Sequence, residues 1–159
     1  LAFVYGIAGA PGTALSSSGS TNTELVNLAI RQATRGVDVQ SFYVVGRGAG
    51  LTAISGLAFR VRRWTTAGTG GTAITPAPRR IGTTASTTAA DSSAAITAGT
   101  VSGAYQLAFG CGAASPGGWV APNPDSNIHI EGGSSDEIDL DSISGTASLS
   151  FECSSEIAE

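Results

Sequence analysis

The stretch from Leu57 to Arg80 limits the fold more than any other part of this sequence. Leu57, Phe59 and Val61 alternate with Ala58, Arg60 and Arg62. That period of two puts apolar groups on one face of a β-strand and guanidinium groups on the other. Gly68, Gly70 and Gly71 follow, then Pro76 and Pro78. They remove helix and central-strand options, because proline lacks the donor a ladder needs and glycine weakens any regular element it interrupts. A basic strand face running into such a loop predicts a β scaffold made for contact rather than catalysis.

The same period recurs along the chain. Tyr105, Leu107, Phe109 and Cys111 share one face, and Ile128 and Ile130 flank His129. Ile138 and Leu140 alternate with Glu137, Asp139 and Asp141, while Ala147, Leu149, Phe151 and Cys153 alternate with Ser148, Ser150 and Glu152. Further strands are expected at 3–8, 23–30, 37–46, 51–64 and near 94–98. Over 23–35 a helix competes, since Leu25, Leu28 and Ala29 fall on one helical face, but the strand is preferred. The register of 37–46 stays open, because Phe42 falls on the same parity as Asp38 and Gln40. Roughly eight to nine strands with Gly, Pro and Ser turns predict an all-β fold, an antiparallel β-sandwich of which a jelly roll is one arrangement. A long Thr/Ala/Gly-rich excursion over 65–100 interrupts it. Residues 1–22 are expected to form an N-terminal strand and flexible arm, and 23–159 a single sandwich domain.

Charge narrows the function. Only 13% of the 159 residues are charged, which is low for a surface wholly given to water and predicts partial cover by partners. A Ser/Thr-coated extracellular protein is the alternative. All basic residues are arginines (31, 35, 47, 60, 62, 63, 79 and 80), so residues 31–80 carry a net +7, whereas 81–159 carry ten carboxylates and no arginine. The halves are suited to neutralise each other within one fold or across subunits. Arginine without lysine favours fixed, bidentate pairs over loosely hydrated charge. No nucleic-acid partner is expected, given a net charge of −4 and no basic cluster interleaved with aromatics. No membrane partner is expected either, as no apolar run approaches the roughly 20 residues of a span. The first ten residues are mildly apolar but lack a basic flank, and the absence of Met implies an encoded start upstream.

No catalytic, cofactor or metal set is predicted. Gly68-Thr-Gly-Gly-Thr lacks the Gly-Lys-Ser/Thr and helix of a phosphate loop. The run from Asp136 to Asp141 reads as a solvated or arginine-paired strand, with an oxygen-rich Ca²⁺ site as the weaker alternative. Cys111 and Cys153 both extend apolar faces. Buried thiols are preferred for them, and a disulfide between them is the other reading. Arg60, Arg62, Arg63, Arg79 and Arg80 are candidate interface residues. Trp119, on a Gly/Pro-rich segment, is a candidate contact anchor, and Trp64 a packing residue.

The order of these features resembles small structural proteins of tailed bacteriophages. It comprises the strand Phe59 to Arg63, the segment Thr65 to Pro78, an Ala/Thr-rich stretch, Trp119-Val-Ala-Pro-Asn-Pro124, and the closing run Ser144 to Glu152. The resemblance covers about residues 55–153 and not the N-terminal part. It implies a virion component on the capsid surface, a decoration or cement protein contacting the major capsid protein and copies of itself, as a homotrimer or another symmetric oligomer. It implies no catalytic residues. A receptor- or glycan-binding fibre module using Trp119 and Trp64, and a main shell subunit, are the rival readings.

Overall fold

The computed structural model describes residues 3–8, 15–16, 25–31, 34–47, 57–66, 68–69, 72–92, 100–101, 105–111, 116–143 and 150–159. The regular elements begin with β1 (Val4–Ala8), β2 (Leu15–Ser16), β3 (Leu25–Arg31), β4 (Val37–Arg47) and β5 (Leu57–Thr66). Then come β6 (Thr72–Ile74), β7 (Ala77–Pro78), β8 (Ala89–Ser92), β9 (Thr100–Val101) and β10 (Leu107–Cys111). The last are β11 (Gly117–Val120), β12 (Ile128–Ile130), β13 (Glu137–Ile143) and β14 (Ser150–Ala158). A short 3-10 turn at Pro124–Ser126 is the one helical feature among the described residues.

The strands form two antiparallel sheets, so the chain is an all-β sandwich. Sheet A runs β11-β4-β14-β1-β7, with β12 also on β4 and β2 on β14. Sheet B runs β10-β5-β13-β3-β8-β6, with β9 also on β5. Inward side chains from both sheets fill the space between them: Tyr5, Ile7, Phe42, Val44 and Ile157 from one, Leu28, Ile30, Phe59, Val61 and Leu140 from the other. Each such side chain contributes about 1.5–3 kcal/mol of burial. Phe59 stacks on Phe109 of the neighbouring strand, with ring centroids 5.8 Å apart.

Residues 25–31 are a strand, not a helix, because tertiary pairing to β13 and β8 satisfies their backbone. The strand expected at 3–8 is β1, and it lies inside sheet A between β14 and β7, as part of the sandwich. Residues 9–14 and 17–22 of the expected arm, the strand expected near 94–98, and residues 51–56 and 144–149 lie outside the described residues. The 65–100 excursion is a strap on its own chain. Its β6 joins sheet B, β7 crosses to sheet A, and β8 returns to sheet B.

The open register of β4 has a physical cause. Its pairing with β14 shifts by one residue where Glu156 faces Ser41 and Ile157 faces Val39. This bulge flips the strand's parity, a known way to re-aim side chains. Val37 and Val39 face the core before it, Phe42 and Val44 after it, and Tyr43 turns outward. Ser41 stitches the bulge: its carbonyl accepts from Ser155 Oγ at 2.7 Å, and its hydroxyl accepts from Glu156 N–H at 3.2 Å.

Beyond the bulge, Gly118 of β11 faces Tyr43. A Cβ there would sit 2.6 Å from the Phe42 carbonyl oxygen and 3.0 Å from Tyr43 Cδ1. Gly118→Ala is therefore expected to destabilise the fold by about 1–3 kcal/mol. Urea denaturation reads this directly, and a loss under about 0.5 kcal/mol would contradict the close approach.

Candidate functional site

The alternation of β13 turns Ile138 and Leu140 into the core and Glu137, Asp139 and Asp141 to the outer face of sheet B. That face is not solvated. All three carboxylates have 0% exposure, which is rare for charged groups unless they are paired. Across the ladder, Glu137 faces Trp64 on β5 and Arg31 on β3, Asp139 faces Arg62, and Asp141 faces Arg60.

The pairing is specific. Arg31 Nε donates to Glu137 Oε2, and the Gly68 N–H donates to Glu137 Oε1 at 3.0 Å. Arg62 Nε lies 3.8 Å from Asp141 Oδ2. The Tyr105 ring covers this edge, 4.2 Å from the Arg60 guanidinium carbon and 4.4 Å from that of Arg62. Arg62 also donates to the Tyr105 hydroxyl and lies 5.3 Å from the Trp64 ring. Aromatic faces attract guanidinium in this way, by about 0.5–1 kcal/mol at exposed sites.

The row titrates unevenly. Burial pushes the Asp139 carboxyl up to about 10, and the neighbouring Glu137 and Asp141 carboxylates add to the effect. Protonated at neutral pH, Asp139 carries no charge beside Glu137. Burial also raises Asp141, to about 7, with Arg62 opposing the rise. Of these closed-off carboxylates, Glu137 ties the central strand of sheet B to β3 through Arg31 and Asp141 ties it to β5 through Arg62, with Asp139 buried between them. The three offer no accessible surface at which a substrate would meet them. No group of three or more metal-ligating side chains suited to an ion occurs among the described residues.

Arg63 has a different partner set. It reaches across the open end of the sandwich from β5, donating to the His129 carbonyl on β12 and pairing with Asp136 at 3.4 Å. The His129 ring sits on the exposed side of β12, with Nδ1 2.6 Å from Asp38 Oδ1. So Arg60, Arg62 and Arg63 are engaged within the chain.

Arg79 and Arg80 lie elsewhere, on the turn that follows β7. The Arg79 guanidinium packs over Gly6, where a Cβ would be 3.2 Å from its carbon, and pairs with Glu156 at 2.6 Å. Arg80 is exposed, and next to it Ile81 is fully exposed at the tip, before Gly82 with φ +79. The turn is held from both sides. Arg79 N–H donates to the Val4 carbonyl at 2.9 Å, and Tyr5 Oη donates to the Thr84 carbonyl at 2.8 Å. Glu159 accepts from the Thr87 and Thr88 N–H groups and from the Ser86 and Thr88 hydroxyls. Burial acts to raise the Glu159 carboxyl, but these hydrogen bonds outweigh it and hold the group below the usual carboxylate range.

Trp64 is 4% exposed and packs on the ionic face rather than in the central core. Trp119 is half-buried and tilts against Phe42, with centroids 6.5 Å apart. Both indoles are turned toward packing. Cys153 is buried in the core on β14, whereas the Cys111 side chain, on the edge strand β10, lies outside the described residues, so the disulfide question falls there too.

Sequence reasoning put Tyr105 on the face of Leu107 and Phe109, whereas its ring lies over Arg60 and Arg62 on the outer face, and it passed over Glu159 and Tyr43. Tyr105 and Glu159 act through partners some 40 to 70 positions away, a distance no local pattern reports. Tyr43 was hidden by the bulge. The chain matches no protein-family model, no curated protein and no solved structure, so its function is argued from these geometries.

Proposed function

We propose that this chain is a non-enzymatic virion structural protein. It decorates or cements a phage capsid through contacts with the major capsid protein and with copies of itself, as a homotrimer or another symmetric oligomer. The observation that carries this reading is the turn at 79–82. The wholly exposed Ile81 beside Arg80 offers a partner an apolar tip to cover, with a charge at its rim. It stands on a turn clamped by Val4, Tyr5, Glu156 and Glu159. A pre-organised anchor loses little entropy on docking, and that raises affinity without added area. Val45 and Val120, exposed on the outer face of sheet A, supply further apolar contact.

The internal arginine–carboxylate ladder is consistent with the same reading. It engages Arg31, Arg60 and Arg62 within one sheet, whereas Arg80 and Ile81 stand exposed on the turn. The test is docking to shells. Ile81→Asp with Arg80→Glu is expected to keep the fold by circular dichroism yet lose at least tenfold in affinity for purified capsids. Shells carrying the wild-type protein are expected to disassemble at a higher temperature than bare shells. Equal disassembly temperatures, or unchanged docking by the double variant, would count against this function.

A further inference from the structure

We infer that the outer face of sheet A carries a saccharide-binding pocket, independent of the capsid reading. Two cross-strand rows build it. Tyr43, Ser154 and Ala8 lie side by side on β4, β14 and β1, and Glu156, Gly6 and Ala77 form the next row. The β4 bulge is what brings Tyr43 to this face. Gly6 leaves room for Arg79 to lie flat across the second row and reach Glu156. The resulting cavity encloses about 260 Å³ between the Tyr43 side chain and the Arg79–Glu156 pair.

Size and chemistry together name the ligand class. Drug-sized pockets run to roughly 300–1,000 Å³, so this one suits a single sugar ring. Tyr43 is 41% exposed, and an aromatic ring presented at a pocket wall offers its face to the C–H side of a pyranose. Arg79 and Glu156 are 56% and 38% exposed. They are planar groups, a fork of donors and a pair of acceptors, and each matches two adjacent hydroxyls. Their charges cancel, so a neutral polyol fits better than an anion or a cation. The Ser154 hydroxyl adds one more donor and acceptor on the floor. Ala8, beside Ser154, keeps that floor low, so the ring can reach it. Neither tryptophan takes part.

The test uses saturation-transfer NMR and calorimetry with the methyl glycosides of glucose, galactose, mannose and N-acetylglucosamine. At least one is expected to bind saturably, in the millimolar range typical of single-ring sites with few hydrogen bonds. Tyr43→Ala should weaken that binding at least tenfold, Tyr43→Phe should keep it within about threefold, and Glu156→Gln should weaken it severalfold. Tyr43 is exposed, so its variants are expected to fold as wild type. The Ile81→Asp variant should bind the sugar normally, so failure of capsid docking and failure of this site are read separately. Absence of binding by all four glycosides would overturn the inference, as would unchanged binding by Tyr43→Ala. A response to acetate or glucuronate alone, lost in Arg79→Gln, would also overturn it by making the pocket an anion site.

Discussion

Arg31→Met is expected to lower the unfolding free energy by about 3 kcal/mol or more, the range for breaking a buried ion pair by removing one partner. Glu137 is wholly buried and Arg31 is 20% exposed, with the guanidinium Nε bonded to the Glu137 carboxylate. Losing the arginine leaves Glu137 with the Gly68 N–H at 3.0 Å. It also leaves the carboxylate in a row already crowded by Asp139 and Asp141. A negative charge there has three outcomes, all unfavourable: to stay unpaired, to take up a proton, or to pull water in. The second change Glu137→Gln should recover a large part of the loss, because it removes the stranded charge while keeping an acceptor for Gly68. Urea denaturation of the two single variants and the double variant forms the cycle. A loss below about 1 kcal/mol for Arg31→Met would mean that the row is screened by water rather than sealed.

Stability is expected to fall as pH rises from about 5 to 8, the reverse of what buried, salt-bridged carboxylates usually produce. In the unfolded chain an aspartate ionises near about 3.9. In the fold, Asp141 is raised to about 7 and Asp139 to about 10. The native state thus holds protons that the unfolded state has released. Each retained proton lowers stability by about 1.4 kcal/mol per pH unit while the two states differ. Asp141 contributes from the unfolded value up to about 7, and Asp139 continues up to about 10. Together they give a decline of several kcal/mol between pH 5 and 8, the larger part from Asp139. Glu159 works in the opposite sense. Held below the usual range by its hydrogen bonds, it contributes stability above the unfolded value that is lost as pH falls through its folded one. The optimum therefore lies in mild acid, near the ordinary carboxylate range. Asp139→Asn should raise stability at pH 8 by a few kcal/mol and flatten the alkaline decline. A stability curve that is level or rising from pH 5 to 8 would show that Asp139 and Asp141 are ionised in the fold.

The same row shows how far local pattern reaches. The alternation of Ile138 and Leu140 with Glu137, Asp139 and Asp141 told which residues share a face, and that of Phe59 and Val61 with Arg60 and Arg62 did so for the neighbouring strand. Pattern did not tell that the polar face would be sealed, since that depends on Arg31, Tyr105 and Gly68 arriving from distant segments. Phe42 shows a different failure. Its parity looked wrong only because one extra residue near Ser41 shifts the ladder, and that shift is recorded in the partner strand. Trp119 looked free because its neighbours are glycines and prolines, yet Phe42 lies within packing distance across the ladder.

By itself, the amino-acid sequence determined the β class, the inward faces of β5 and β13 and the separation of arginines from carboxylates. These are set by side chains two positions apart, which the geometry of an extended chain forces onto one side. Only the tertiary structure decided that 72–92 would strap the two sheets together, that the acidic row would be buried beneath arginines, and that Tyr43, Arg79 and Glu156 would meet around one pocket. Those arrangements depend on contacts between strands far apart in sequence. Pairing partners, a bulge and the space above a glycine choose among them, and none of the three is a property of any short stretch of residues.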